Sequence, residues 1–351
     1  MQITLQLAEL ITVAIAITAS LLLAFVISPF AILLARQVGL IDYPGAAEHK
    51  RHSQPTPLAG GIILMLSLPI LMSIWNLWNA KLIGLFIGTS IIFIFGLLDD
   101  YFGFSATLKF TGQISGGLVL LFSGISVHIL ETLRPNWGNF AIDSLHILIT
   151  LLWIVGITNA FNLTDSMDGL TAGLAAVSTG FFTLASLIAG QLELAQLSAI
   201  LFGIALALYT INMTPAFSFL GDSGAQSFGF LLAGIGILYQ PNEAPQGSTW
   251  FVPILLVAVP IFDTALVTIS RLRRGKPVFQ ADLAHTYHRL VKLGIPPNKA
   301  VFLIQLVALF SCNTAFIMIS FSPTLASIVF GLTCFIGIIL IAFLEIFSNV
   351  E

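Results

Sequence analysis

The sequence predicts an all-α polytopic membrane protein of about eleven transmembrane helices, with its N-terminus outside and its C-terminus cytoplasmic. Three observations carry that expectation. Of 351 residues, 57% are hydrophobic and 8% charged, where soluble domains carry about 25% charged residues; mean hydropathy is +1.01. Apolar runs of spanning length recur from one end of the chain to the other. Lys and Arg are sorted sharply between alternate loops. An ordinary water-soluble protein is excluded, and 29 Phe with long aliphatic runs exclude disorder. A net charge of −3 supplies no basic field for nucleic acid. Cys312 and Cys334 lie in apolar runs without partners at metal spacing, which argues against a disulfide framework or a zinc site.

The first apolar stretch runs to about Ala35 with no positive charge ahead of it. It exceeds the roughly 7–15 residues of a cleavable signal core, so it reads as a span. Runs of about 17–25 residues then fall at 8–35, 58–75, 82–98, 109–127, 142–158, 169–189, 197–215, 224–240, 250–270, 299–321 and 324–347. Pro253 and Pro260 should kink the ninth, and the bend is expected to open an apolar groove. No intervening segment is large enough for a soluble domain. The chain reads as one integral membrane domain, 1–351, with polar loops near 36–57, 99–108, 159–168, 216–223 and 271–298.

If the first loop is cytoplasmic, eleven of the thirteen basic residues share that side, leaving Lys81 and Arg134 outside. No topology rule sorts acids, yet eight of nine Asp fall at the same face and only Asp143 lies opposite. His49, His52, His285 and His288 follow them; His128 and His146, on the other face, read as structural.

Crowded Asp at a membrane face need water or a cation to offset their cost, about 2.5–3.5 kcal/mol each at a helix centre. Asp99 and Asp100 close the third span. Adjacent helical residues point about 100° apart, so the two should serve different partners, or else stand in solvent as helix-end carboxylates. Asn159, Asn162, Asp165 and Asp168 recur at intervals of three before Gly169. Such oxygen-only donors suit Mg²⁺ or Mn²⁺; polar glue between helices is the alternative. Gly221-Asp222-Ser223-Gly224 opens the eighth span with small residues that let a phosphate–metal unit approach, although the same string is ordinary turn chemistry. The last long loop carries Arg271, Arg273, Arg274 and Lys276, which can clamp a diphosphate or simply enforce topology. His285 and His288 lie three apart, suited to phosphate binding or proton transfer. Lys50 and His52 in the first loop add to the same face. No P-loop and no dinucleotide fingerprint is present.

Together, in this order, these clusters resemble the polyprenyl-phosphate sugar-1-phosphate transferases, the superfamily of WecA, TagO and MraY. The resemblance runs from the first loop to the His loop. Pro260-Ile-Phe-Asp263-Thr264 and the eleven-span count look like the WecA/TagO branch. Two positions depart from that branch: Tyr287 stands where a His is usual, and Leu283 where a basic residue is common.

The resemblance implies transfer of an N-acetylhexosamine-1-phosphate, GlcNAc-1-phosphate above all, from a UDP-sugar to a polyprenyl phosphate. Products are UMP and a lipid diphosphate sugar, the first membrane step of a cell-envelope glycan. It implies Mg²⁺ with Mn²⁺ as substitute, a plasma-membrane location, a cytoplasmic site and a homodimer. Asp222 and Asp100 are then expected at the metal, and Asp99, Asp100, Asp165, Asp168 and His288 at the chemistry. Lys50, His52, Lys109, Asn159, Asn162, Asp263, Arg274, His285 and Arg289 are expected to bind substrate. The rivals are an MraY-type transfer of phospho-MurNAc-pentapeptide, whose usual His motif is missing, and a secondary transporter, which would place its acids near the midplane within repeated halves.

Overall fold

The computed structural model describes residues 7–44, 54–213, 215–241, 249–277 and 284–348, and these are helical almost throughout. The helices are α1 (Leu7–Gln37), α2 (Gly60–Ile74), α3 (Ala80–Phe102), α4 (Ala106–Phe122), the single turn α5 (Arg134–Trp137), α6 (Asn139–Thr164), α7 (Leu170–Ile188) and α8 (Leu192–Asn212). After them come α9 (Gly221–Leu238), α10 (Phe251–Leu256), α11 (Ala258–Arg273), α12 (Thr286–Lys292), α13 (Pro297–Met318) and α14 (Pro323–Phe347). Each expected apolar run lies on one of these helices or, for the ninth, on the pair α10–α11. Among the described residues seven helices are long and apolar enough to cross a membrane, which makes the fold an all-α, multi-pass membrane fold.

Burial grades from rim to centre. The last helix, α14, buries only Ala326, Leu344 and Glu345, so its apolar length faces outward as a lipid-facing helix must. Along α1 a stripe of small residues (Ala16, Ser20, Ala24, Ser28, Ala31, Ala35) is buried, and it lies on α8. Small side chains let two helix backbones approach where no hydrophobic force drives them together. At the centre stands α9, buried from Ser223 to Ile237 and packed on α2, α3 and α6.

Two features outrun the periodicity. The helices α3 and α6 continue past their apolar runs, so Asp99, Asp100, Asn159 and Asn162 sit on their last turns. The ninth run breaks at Val257. Pro260 has no N–H to give the Leu256 carbonyl four residues back; Ser178 Oγ (2.7 Å) and Cys312 Sγ (3.5 Å) donate to that carbonyl instead. The bend is therefore present. An apolar cavity of about 500 Å³ lies between α1, α7, α8 and α13.

A two-stranded pairing, β1 (Ile41–Asp42) with β2 (Thr56–Pro57), was not legible in the sequence. It anchors the first loop to the segment before α9: Phe219 N–H donates to Pro57 O (2.9 Å), Gly60 N–H to Phe219 O (3.1 Å), and Ser218 Oγ to Pro57 O (2.9 Å).

Candidate active site

The ends of α3 and α6 meet the beginnings of α4 and α9, and polar side chains converge there. The N-terminus of α9 has orphan N–H groups and a positive dipole end. Asp100 answers both, accepting the N–H of Asp222 at 2.8 Å and of Ser223 at 3.1 Å on its two oxygens. The sequence makes this approach possible. Gly221 has φ +73°, and a Cβ on it would come 2.8 Å from the Asp100 carboxylate. On α3, a Cβ at Gly96 would fall 2.6 Å from Ser223 Cα, so only glycine lets the two helices touch there.

Asp99 takes a different direction, as the 100° offset requires. Its Oδ1 accepts the Phe104 N–H at 2.7 Å, and its carboxylate pairs with Lys109. The Lys109 ammonium also donates to Asp222 at 2.6 Å, so one lysine bridges two aspartates from different helices. Asp222 is a third exposed at its side chain, which leaves it open to a ligand. Asn162 reaches the Asp222 carboxylate. Behind this layer Asn159 exchanges hydrogen bonds with Gln113 (2.6 and 3.2 Å), and Gln113 also donates to Gln226 (3.1 Å), a buried amide floor.

Asp165 and Asp168 sit in the turn between α6 and α7. Loss of solvent, then the charges of Asp222 and Asp100, push the Asp165 carboxyl well above the usual range. Five aspartates thus gather where Lys109 neutralises Asp99 and Asp222. The donors fit a hard divalent cation: all are oxygens, and the buried Asn162 Oδ1 has no hydrogen-bond partner. Asp222, Asn162, Asp165 and Asp168 would hold such an ion. Asp100, which the sequence placed at the metal, stands behind Asp222 as the clamp on α9.

The His loop borders this cluster without joining it. Asp263 on α11 accepts the Thr286 N–H at 2.7 Å and contacts His285 Nδ1 at 2.7 Å, tethering the start of α12. A narrow cleft runs from His285, Thr286 and Tyr287 to Thr164 and Ser166, the residues flanking Asp165. His288 is buried on the same short helix. Arg274 folds back on Ser270, with contacts of 3.1 Å to its carbonyl and 2.8 Å to its hydroxyl. Arg289 is buried among Ala284 O (2.8 Å), Leu344 O (3.0 Å), Ser270 Oγ (2.7 Å) and Glu345 (2.5 Å). Arg289 is thus a staple between α11, α12 and α14 in this arrangement, away from the aspartates. Lys50 and His52 lie outside the described residues.

Sequence reasoning passed over Gln113, Gln226 and Glu345. Each had a signal. Gln113 stands four residues after Lys109, on the same helix face, and Glu345 is the single acid within the last apolar run.

A lipid-facing helical bundle that gathers five aspartates, buried amides and one bridging lysine at one end has the build of a multi-pass membrane transferase. Comparison with known proteins gives the class its family. The model for glycosyl transferase family 4 matches residues 82–240, the segment holding every aspartate of the cluster. A probable undecaprenyl-phosphate N-acetylglucosaminyl 1-phosphate transferase of Bacillus subtilis (strain 168) is 28% identical over 349 residues, covering 97% of this chain and 93% of that protein. A decaprenyl-phosphate N-acetylglucosaminephosphotransferase of Mycobacterium tuberculosis (strain H37Rv) is 30% identical over 83% of this chain and 78% of its own. The undecaprenyl-phosphate alpha-N-acetylglucosaminyl 1-phosphate transferase of Escherichia coli (strain K12) is 29% identical over 80% and 76%. The chain belongs to glycosyl transferase family 4.

Proposed function

We propose that this protein transfers N-acetylglucosamine-1-phosphate from UDP-N-acetylglucosamine to a polyprenyl phosphate in the membrane. The observation that carries the reading is the bridge Asp99–Lys109–Asp222 at the dipole end of α9, at the edge of a lipid-facing bundle. The acceptor is a phosphomonoester with a second pKa of about 6, largely dianionic at neutral pH. Its oxygen forms a bond to the β-phosphorus of the donor as the bond from that phosphorus to the bridging oxygen breaks, and UMP leaves. Charge balances without a proton: two dianions enter, a disubstituted diphosphate dianion and a UMP dianion leave.

The obstacle is repulsion between two anions, so catalysis of this kind is mostly positioning and charge stabilisation. Lys109 supplies a fixed positive charge, held in place by the two carboxylates it bridges. The α9 N-terminus adds its dipole, and Asp100 fixes that terminus against α3. Asn162, on the last turn of α6, orients the Asp222 carboxylate. Mg²⁺, held by Asp222, Asn162, Asp165 and Asp168, would supply charge neutralisation of the donor diphosphate when bound. Asp263 positions His285 and α12 along the cleft that leads to Asp165. The apolar cavity between α1, α7, α8 and α13 gives room to part of the isoprenoid chain. At its polar margin Gln305 donates to Gly169 O (2.8 Å), next to Asp168.

Eleven crossings, with the basic end of the bundle and the site at the cytoplasmic face, complete the reading; the charge bias supports it. The homodimer rests on the family resemblance. The test is UMP release by the detergent-purified protein given a polyprenyl phosphate, a panel of UDP-sugars, and Mg²⁺ or EDTA. Release that needs the lipid, the metal and UDP-N-acetylglucosamine is the expected result. Silence across the panel from folded protein refutes it.

A further inference from the structure

At the end of the bundle opposite the aspartates, three side chains from neighbouring elements come together. The turn after α4 carries His128, the single 3₁₀ turn Glu131–Leu133 carries Glu131, and the first turns of α6 carry His146. One ligand atom from each lies within 4.8 Å of the others. Nδ1 of His128 is 3.3 Å from Glu131 Oε1, Nδ1 of His146 is 3.7 Å from the same oxygen, and the two rings meet edge to face at 5.1 Å. A tetrahedral zinc with bonds of about 2.0–2.1 Å has ligand–ligand edges of roughly 3.3–3.4 Å. Two of the three separations, 3.3 and 3.7 Å, are close to such an edge, and the third is within 4.8 Å.

A second observation points the same way. His146 is 3% exposed, yet its Nδ1, aimed at the cluster, has no hydrogen-bond partner. Such a buried polar atom carries a cost that a ligand would remove. We propose that His128, Glu131 and His146 form a binding site for Zn²⁺ or a similar late first-row ion, with water in the fourth position, tying the loop after α4 to α6.

The surroundings are those of such a site. Ser126 Oγ lies 2.9 Å from His128 Nε2 and can accept a hydrogen bond from its N–H, which leaves the Nδ1 lone pair toward Glu131. Coordination through His146 Nδ1 puts that ring's proton on Nε2, where the Leu130 N–H now donates (3.3 Å), so zinc binding must shift the Leu130 backbone away from the ring. Arg134 holds the far side of Glu131, with Nε to Oε2 at 2.6 Å and Nη2 to Oε1 at 2.8 Å, and reaches Asp143 at 2.9 Å and Asn139 Oδ1 at 3.3 Å. Its charge is therefore shared between two carboxylates. A carboxylate oxygen has two lone pairs, so Oε1 keeps one for the metal. The set is N, N, O, of a softness suited to zinc, where the aspartate end is all oxygen and suited to magnesium. One chain thus selects two different ions at its two ends. The cysteine count had argued against zinc, but this site uses no cysteine.

The test is zinc titration of chelator-stripped, full-length protein in detergent, by competition with a chromophoric chelator and with millimolar Mg²⁺ present to fill the aspartate end. Wild-type protein should bind one zinc that His128→Gln and Glu131→Gln bind at least about tenfold more weakly, while His285→Gln and Asp222→Asn keep it. His128 and Glu131 are exposed, so their variants should fold; X-ray absorption spectroscopy of the bound zinc should show a two-imidazole shell. No zinc bound by the wild type, or equal binding by wild type and His128→Gln, overturns the site.

Discussion

The two ends of this bundle show two ways of managing charge. At one end aspartates from two helices and a turn crowd together, Lys109 bridges two of them, and the Asp165 carboxyl is pushed up by lost solvent and by its neighbours. At the other end charges are matched locally. Arg134 answers Glu131 and Asp143, and the hydrogen bonds from Arg134 hold the Glu131 carboxyl down at about 2. Excess like charge in a partly enclosed place has no structural benefit, because every carboxylate there raises the cost of the next. In the proposed function that excess marks the end where the two anionic substrates meet. The other end pairs its exposed carboxylates with Arg134 instead of crowding them.

Substitutions separate the two ends. The largest effect should come from Asp222→Asn, which removes the exposed carboxylate at the bridge and should lower turnover by at least about 10²–10³-fold with the melting temperature little changed. A steady-state assay beside a thermal melt checks both halves. Lys109→Met should follow at roughly 10²-fold, and because it leaves Asp99 and Asp222 without their cation it should also lower thermal stability.

Next comes a residue that belongs to neither end's chemistry. Glu345→Gln strips the buried Arg289 of its counter-charge, and breaking a buried pair costs about 3–5 kcal/mol. The variant should melt well below wild type, while the fraction that stays folded keeps its Michaelis constant. Ser178→Ala leaves the Leu256 carbonyl short of a donor at the break of the ninth segment. That should cost about 1–3 kcal/mol, read as a lower denaturation midpoint. Smallest of all is Asp143→Asn at the matched end, where an exposed pair contributes little; turnover and melting temperature should not move. A large loss of activity from Asp143→Asn would erase the contrast between the ends.

Much of the aspartate end was legible because membrane insertion makes polar residues conspicuous. Asp99, Asp100, Asn162 and Asp222 stand out against apolar runs, and the helical offset alone foretold that Asp99 and Asp100 would part company. Periodicity could not tell which partner each would take, since Lys109 and the α9 N–H groups lie far off in sequence. Arg289 reads as a phosphate ligand in a one-dimensional loop and proves to be a staple once α14 brings Glu345 beside it. His128 and His146 read as isolated for the same reason: the turn that joins them to Glu131 has no hydrophobic period to announce it. Pro260 predicts a bend, but the side chains that meet the freed carbonyl there, Ser178 and Cys312, come from helices far off in sequence.

The central claim is that a phosphate moves together with the sugar at the aspartate end. It is tested most directly with UDP-N-acetylglucosamine labelled with ³²P at the β-phosphate, given with polyprenyl phosphate and Mg²⁺ to wild type, Asp222→Asn and Asp143→Asn. The account predicts label in the lipid extract and unlabelled UMP from wild type and Asp143→Asn, and neither from Asp222→Asn. Label left in UDP while sugar appears on lipid would contradict phospho-sugar transfer, and undiminished lipid label from Asp222→Asn would contradict the site.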